Sequence, residues 1–149
     1  MLNVIKKGDF LPLTKEVNPN KLIWRLADEL KNDDNVKPPA WAKNVKTGVN
    51  SERPPSQSNW WYLRASAILR KIHLTGPVGT NRLRTVYGSL KNRGVRPSHH
   101  AKAGGKIIRL MLQQLEKSGY VKKSETLKKG RITTPKGQRL INKIAKAVR

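Results

Sequence analysis

Between Glu52 and Glu116 the chain carries twelve Lys or Arg and not one Asp or Glu. Any fold built from this sequence must hold that charge together. Over all 149 residues, 32 Lys and Arg stand against nine Asp and Glu, a net +23. The imbalance is local. Residues 1–35 hold six basic residues (Lys6, Lys7, Lys15, Lys21, Arg25, Lys31) and six acidic ones (Asp9, Glu16, Asp28, Glu29, Asp33, Asp34), so the whole net charge lies in residues 36–149. Self-repulsion of that size destabilises a compact state. A polyanion removes it, and a phosphate backbone is the commonest such partner. We therefore expect one domain, 1–149, made of a charge-neutral N-terminal extension and helix (1–35) and a basic body (36–149).

A chain of this length buries roughly two-thirds of the surface its unfolded form exposes. Apolar residues make up 36% of it, with one Phe, three Tyr and four Trp. The core is therefore expected to be mostly aliphatic, with Trp supplying the large rings. The absence of Cys excludes disulfides, thiolate metal sites and Cys nucleophiles, and fits a reducing compartment. No apolar run approaches the ~20 residues that span a bilayer, and no signal-peptide core opens the sequence, so a cytoplasmic location is expected.

Residues 1–17 read as an extended lead-in. Asn18-Pro19 is a cap and first-turn pair, and Leu22, Ile23, Leu26, Ala27 and Leu30 share one helical face to about Lys31. A short segment runs from Ala40 to Val45, followed by a loop from Thr47 to Gln57. Ser58 or Asn59 is expected to cap a helix from Trp60 to about His73, with Trp61, Ala65, Ile68 and Ile72 on one stripe and Leu69 beside it. Gly76-Pro77-Val78-Gly79 is a tight turn, and Thr80 is placed to cap a short helix carrying Leu83, Val86 and Tyr87. The stretch Gly88–Gly105, with four Gly, reads as a long basic loop that is mobile until a partner orders it. Lys106–Ser118 is strongly amphipathic and stops at Gly119. Tyr120–Lys123 and Arg131–Thr133 flank a polar connection containing Gly130, as a small hairpin does. Thr134-Pro135 opens a last helix with Leu140, Ile141, Ile144 and Val148. Helix, turn, helix, hairpin, helix is a winged-helix order. The expected class is mainly α: a helical bundle around a central amphipathic helix, winged-helix-like, with one small β-hairpin.

Arg82, Arg84, Lys91, Arg93, Arg96, His99, His100, Lys102, Lys106 and Arg109 fall within 28 residues without an acid among them. Cations interspersed with Gly let the backbone follow a phosphate ridge while side chains reach single phosphates. A merely solvated loop leaves the missing acids unexplained. Arg64, Arg70 and Lys71 form a second patch on the 60–73 helix. Lys122, Lys123, Lys128, Lys129 and Arg131 mark the wing, of which Lys129 and Arg131 are the candidate contacts. Trp60 is expected to pack rather than stack on a base. Adjacent His99 and His100 do not converge on a metal, and no nearby carboxylate or Cys completes a site. With no carboxylate pair, activated nucleophile or phosphate-cradling Gly motif, catalysis and cofactors are not expected.

Several short segments in fixed order carry a resemblance: Pro38-Pro39-Ala40-Trp41-Ala42, Asn59-Trp60-Trp61-Tyr62-Leu63-Arg64-Ala65, Ile68-Leu69-Arg70-Lys71, Gly76-Pro77-Val78-Gly79, Asn92-Arg93-Gly94, Pro97-Ser98-His99, Leu112-Gln113-Gln114-Leu115-Glu116 and Thr134-Pro135-Lys136-Gly137. Together they resemble the ribosomal protein nineteen-e family of the small subunit, found in archaea and eukaryotes. The resemblance spans nearly the whole chain. It implies a seat in the subunit head against the 3′ major domain of the small-subunit rRNA, beside other ribosomal proteins, and a role in subunit maturation. It also implies RNA contacts at Arg64, Arg70 and Arg109. Asn59 stands where the family commonly has an acidic residue, and His73 where it commonly has Tyr. The competing reading is a winged-helix DNA-binding regulator or chromatin protein. It sits poorly with a recognition helix that is mostly apolar and with cations dispersed over loops.

Overall fold

The stripe that starts at Trp61 becomes the central helix of the molecule. A computed structural model describes residues 12–125 and 129–149. In it α3 (Trp60–Thr75) buries Trp61, Ala65, Ser66, Ile68, Leu69 and Ile72. It packs against α2 (Pro19–Lys31), α5 (Gly105–Lys117), α6 (Pro135–Val148) and strand β4 (Arg131–Thr133). Leu22, Leu26 and Leu30 of α2 face it from one side. From the other come Ile107, Ile108, Met111, Leu112 and Leu115 of α5. Trp61 is the largest fully buried side chain, and its indole N–H donates to Gln114 Oε1 at 2.9 Å. Gln114 in turn donates to the carbonyl of Lys37 at 2.6 Å, which ties the chain after α2 to α5.

Local chemistry sets the helix ends. Asn18 Oδ1 accepts from the N–H groups of Asn20 and Lys21, and Pro19 takes the first helical position of α2. Thr134 does the same for α6, accepting from the N–H of Gly137 while its hydroxyl donates to the carbonyl of Gly119. The side-chain cap expected at Ser58 or Asn59 is not made. α3 is entered through a turn in which Trp60 N–H donates to the Gln57 carbonyl. Thr80 lies inside α4 (Thr80–Val86), preceded by Gly79 without a side-chain cap. The expected extended lead-in is overturned where it is described: Pro12–Glu16 forms a short helix, α1, beside α6, with Thr14 and Val17 buried. Residues 1–11 of that lead-in lie outside the described residues.

The wing is present. β3 (Val121–Lys123) pairs antiparallel with β4, Val121 opposite Thr133 and Lys123 opposite Arg131. Val78 adds a one-residue third strand, exchanging both backbone hydrogen bonds with Arg131 at 3.0 and 3.1 Å. The order α3, Val78, α4, α5, β3, β4 is that of a winged-helix domain, with α1, α2 and α6 packed around it.

The stretch Gly88–Gly105 is not a loop. β1 (Ser89–Arg93) and β2 (Arg96–Ala101) form a second antiparallel hairpin, with Lys91 opposite His99 and Arg93 opposite Arg96. Its turn uses Gly94 at φ 70°, where only Gly is unstrained, and Asn92 Oδ1 accepts the Gly94 N–H. From Ser89 to His100 every residue is exposed. With no face buried, the apolar–polar alternation that marks a strand never arises. The hairpin is rooted by the preceding loop. Gly104 N–H donates to the Thr47 carbonyl at 2.8 Å, Gly48 pairs with Ala103, and the Asn50 side chain bonds the Ser89 hydroxyl.

Two tests follow from the packing. A Cβ on Gly137 would overlap the carbonyl oxygen of Tyr120, so Gly137→Ala must push α6 away from β3. We expect a loss of about 1–3 kcal/mol in urea unfolding at unchanged m-value. The β1–β2 amides should exchange far faster than those of α3 and α5, because a two-stranded hairpin without an apolar face is marginal by itself. Equal protection in hydrogen-exchange mass spectrometry would contradict that account.

Candidate nucleic-acid interface

The basic residues of the hairpin are fully in solvent. Lys91, Arg93, Arg96, His99, His100 and Lys102 are all exposed, and the Arg93 side chain donates to the Pro97 carbonyl at 3.5 Å. His99 and His100 are neighbours on one strand and so point to opposite faces, which prevents them from sharing an ion. Among the described residues no three His, Asp or Glu side chains cluster.

At the root of the hairpin, Arg84 is half-buried and holds the start of α5. Its Nε donates to the Ala103 carbonyl at 3.0 Å, and its own carbonyl accepts the Ala103 N–H at 2.9 Å. A Cβ built on Gly105 would lie 3.1 Å from Arg109 Nη1 and 3.3 Å from Arg84 Nε, so both guanidinium groups flank the first turn of α5. Unpaired N–H groups and the positive end of the helix dipole add to their field. Lys106, one residue on, lies 4.9 Å over the ring of Trp41. Arg82 is exposed on α4.

Tyr87 brings the α3 patch to this surface. The Arg64 guanidinium sits 4.5 Å over the Tyr87 ring. Burial lowers the pKa of Arg64, opposed by Tyr87. Burial also pushes the Tyr87 phenol up to about 12, against the pull of Arg64 and Arg70. Arg64, Arg70 and Lys71 are all half-buried rather than solvated. Arg70 Nε and His73 Nδ1 are buried without a hydrogen-bond partner. The other ring nitrogen of His73, Nε2, lies 3.5 Å from the Thr14 hydroxyl.

The wing splits. Lys122, Lys123 and Lys129 are exposed, and Lys128 lies outside the described residues. Arg131 is instead paired with Glu116 at 3.3 Å, the two side chains only 19% and 31% exposed. Its guanidinium thus ties the wing to α5. The other ion pairs among the described residues, Lys31–Asp28, Lys37–Asp34 and Arg149–Glu16, all lie in or beside α1, α2 and α6. None involves a cation between residues 53 and 115. Trp60 packs edge-on against Trp61, ring centres 5.3 Å apart, but stays half-buried at the surface. Sequence reading missed Tyr87 as the platform for Arg64 and Trp41 as the platform for Lys106. Both pairs are distant in sequence, so no local pattern marks them.

A winged-helix body with an open, acid-free cationic surface now meets its relatives. The family model for Ribosomal protein S19e matches residues 13–149. The chain belongs to the Ribosomal protein S19e family. It is 45% identical over 135 residues to the small ribosomal subunit protein eS19 of Aeropyrum pernix, covering 89% of this chain and 87% of that one. It is 44% identical to the eS19 of Emericella nidulans, covering 89% and 88%. The eS19 of Haloarcula marismortui is 43% identical, covering 87% and 86%. As a member of a structural ribosomal protein family, the chain is not an enzyme. The hairpin, α5 and the wing all fall inside the S19e match.

His73 yields a pH prediction. Burial, and secondarily the positive charge of Arg70, lower its pKa in the fold. The unfolded chain therefore binds a proton more readily. Stability is complete above the unfolded pKa of about 6.5 and falls as pH drops from there towards the lowered folded value. Urea unfolding at pH 7.5 and 5.5 should show a loss at the lower pH for the natural chain and a smaller one for His73→Tyr.

Proposed function

We propose that this chain is a structural constituent of the small ribosomal subunit that binds small-subunit rRNA through the surface built from α4, the β1–β2 hairpin and the first turn of α5. The observation that carries this reading is the unpaired charge. Among the described residues Arg82, Lys91, Arg93, Arg96, Lys102, Lys106 and Arg109 have no acidic partner, and the four ion pairs present all lie outside residues 53–115 on their cationic side. Arg64, Arg70 and Lys71 extend the surface along α3, His99 and His100 add donors on the hairpin, Arg84 shapes its root, and Lys129 is the wing's contact. Arg131 serves through its pair with Glu116, setting the wing against α5. Contacts spread over a protruding hairpin, a helix start and a wing suit an irregular RNA surface better than one groove of a duplex.

The seat we assign is the subunit head, against the 3′ major domain of the rRNA and beside other ribosomal proteins, with a part in subunit assembly. The support is the resemblance over nearly the whole chain and the relatives' own description as small ribosomal subunit proteins.

Sedimentation of the tagged full chain from lysate on a sucrose gradient tests this. We expect it to run with small subunits, to survive a moderate salt wash and to be released steeply at higher salt, as several phosphate contacts require. A chain that stays at the top of the gradient, or is released by a DNA-specific nuclease, would instead be a winged-helix DNA-binding protein.

A further inference from the structure

Beside the basic surface lies a cleft of about 370 Å³ between the 47–57 loop, α3 and the end of α4. That volume is within the ~300–1,000 Å³ typical of small-ligand sites. Its apolar walls are Pro55, Trp60, Leu63 and Tyr87, and its polar groups include Gln57 and Arg64. We propose that this cleft receives one unpaired nucleobase of the bound RNA, stacked on Trp60, with the nucleotide's phosphate on Arg64. The inference rests on the RNA-binding reading above and names a specific subsite within it.

Three observations converge. First, Trp60 is held in place yet not consumed by the core. Its ring stands at 76° to the buried Trp61, which in turn packs at 82° against Trp41, and Trp60 itself is half-buried at the surface. A rigid aromatic face open to one side is what an unstacked base needs. Second, Arg64 carries a largely desolvated charge with no acid and no hydrogen-bond acceptor engaging it among the described residues. Tyr87 covers its plane at 4.5 Å, leaving the N–H edge to an anion. Third, the cleft adjoins Gly88, the root of the hairpin, so a strand following the cationic surface passes its mouth. Gln57 offers both a donor and an acceptor to a base edge, whereas an apolar protein side chain would leave Arg64 unsatisfied.

The experiment uses small subunits assembled with the full chain. Ultraviolet crosslinking and mass spectrometry on the natural protein should join a peptide containing Trp60 or Tyr87 to one unpaired nucleotide. In subunits carrying Trp60→Leu, and separately Arg64→Lys, that nucleotide should gain about fivefold or more in base-specific chemical reactivity, as expected from losing one stacking contact. Other protections should persist. If hairpin residues crosslink to RNA while the cleft does not, and no nucleotide gains reactivity, the subsite is overturned and the RNA-binding reading stands. A crosslink from the cleft to a protein peptide also overturns it, in favour of a protein occupant. If no part of the chain crosslinks to RNA, both readings fall. The crosslink on the unsubstituted chain keeps the test valid even if a variant folds poorly.

Discussion

Trp61 fixes three parts of the chain at one point. Its ring is buried in the core, its N–H is satisfied by Gln114, and Gln114 holds the segment after α2 through Lys37. A buried indole without that acceptor would carry an unmet donor, and truncation to Ala would leave a cavity costing about 3–5 kcal/mol. The same ring sets the edge-on positions of Trp41 and Trp60. Through them it positions Lys106 over Trp41 and the wall of the cleft beside Arg64. The aromatic centre of the core is thus also the support of the cationic surface.

Charge is sorted by element. Around α1, α2 and α6 acids and bases meet in exposed pairs that water and salt screen. In residues 1–35 the six acids match the six bases, so that stretch carries no net charge, while α6 adds cations without an acid. Towards the hairpin and α5 no such pairing occurs. The exception is Glu116, the one acid that closes the basic stretch, and it is spent on Arg131 to orient the wing.

The elements with an apolar face and a capping residue were legible from sequence. Asn18-Pro19 announced α2, the Trp61 stripe announced α3, and Gly119 and Gly130 bracketed the first wing strand. Elements whose stability comes from elsewhere were not. The five residues of α1 are too few to show a period, and Thr14 and Val17 are buried by tertiary packing, with α6 alongside and His73 of α3 at Thr14. The β1–β2 hairpin has no buried face, so its strands look like a loop. The list of basic residues was readable, but their states were not. Arg64 is half-buried under Tyr87, which comes to α3 from the far end of α4, and Arg131 is paired across fifteen residues. Long-range partners decide such matters, and no local pattern encodes them.

The hairpin has a consequence for the chain before it reaches its partner. Six residues of β2 extend about 20 Å, more than the radius of gyration of about 15 Å for a chain of this size. Both outer edges of this two-stranded ribbon are open, a geometry that invites strands from a second copy to add on. Lys91, Arg93 and Arg96 stand along those edges. The repulsion that makes the newly made protein uncomfortable alone also keeps it from polymerising with its siblings. Charge on such a ribbon guards its open edges against aggregation.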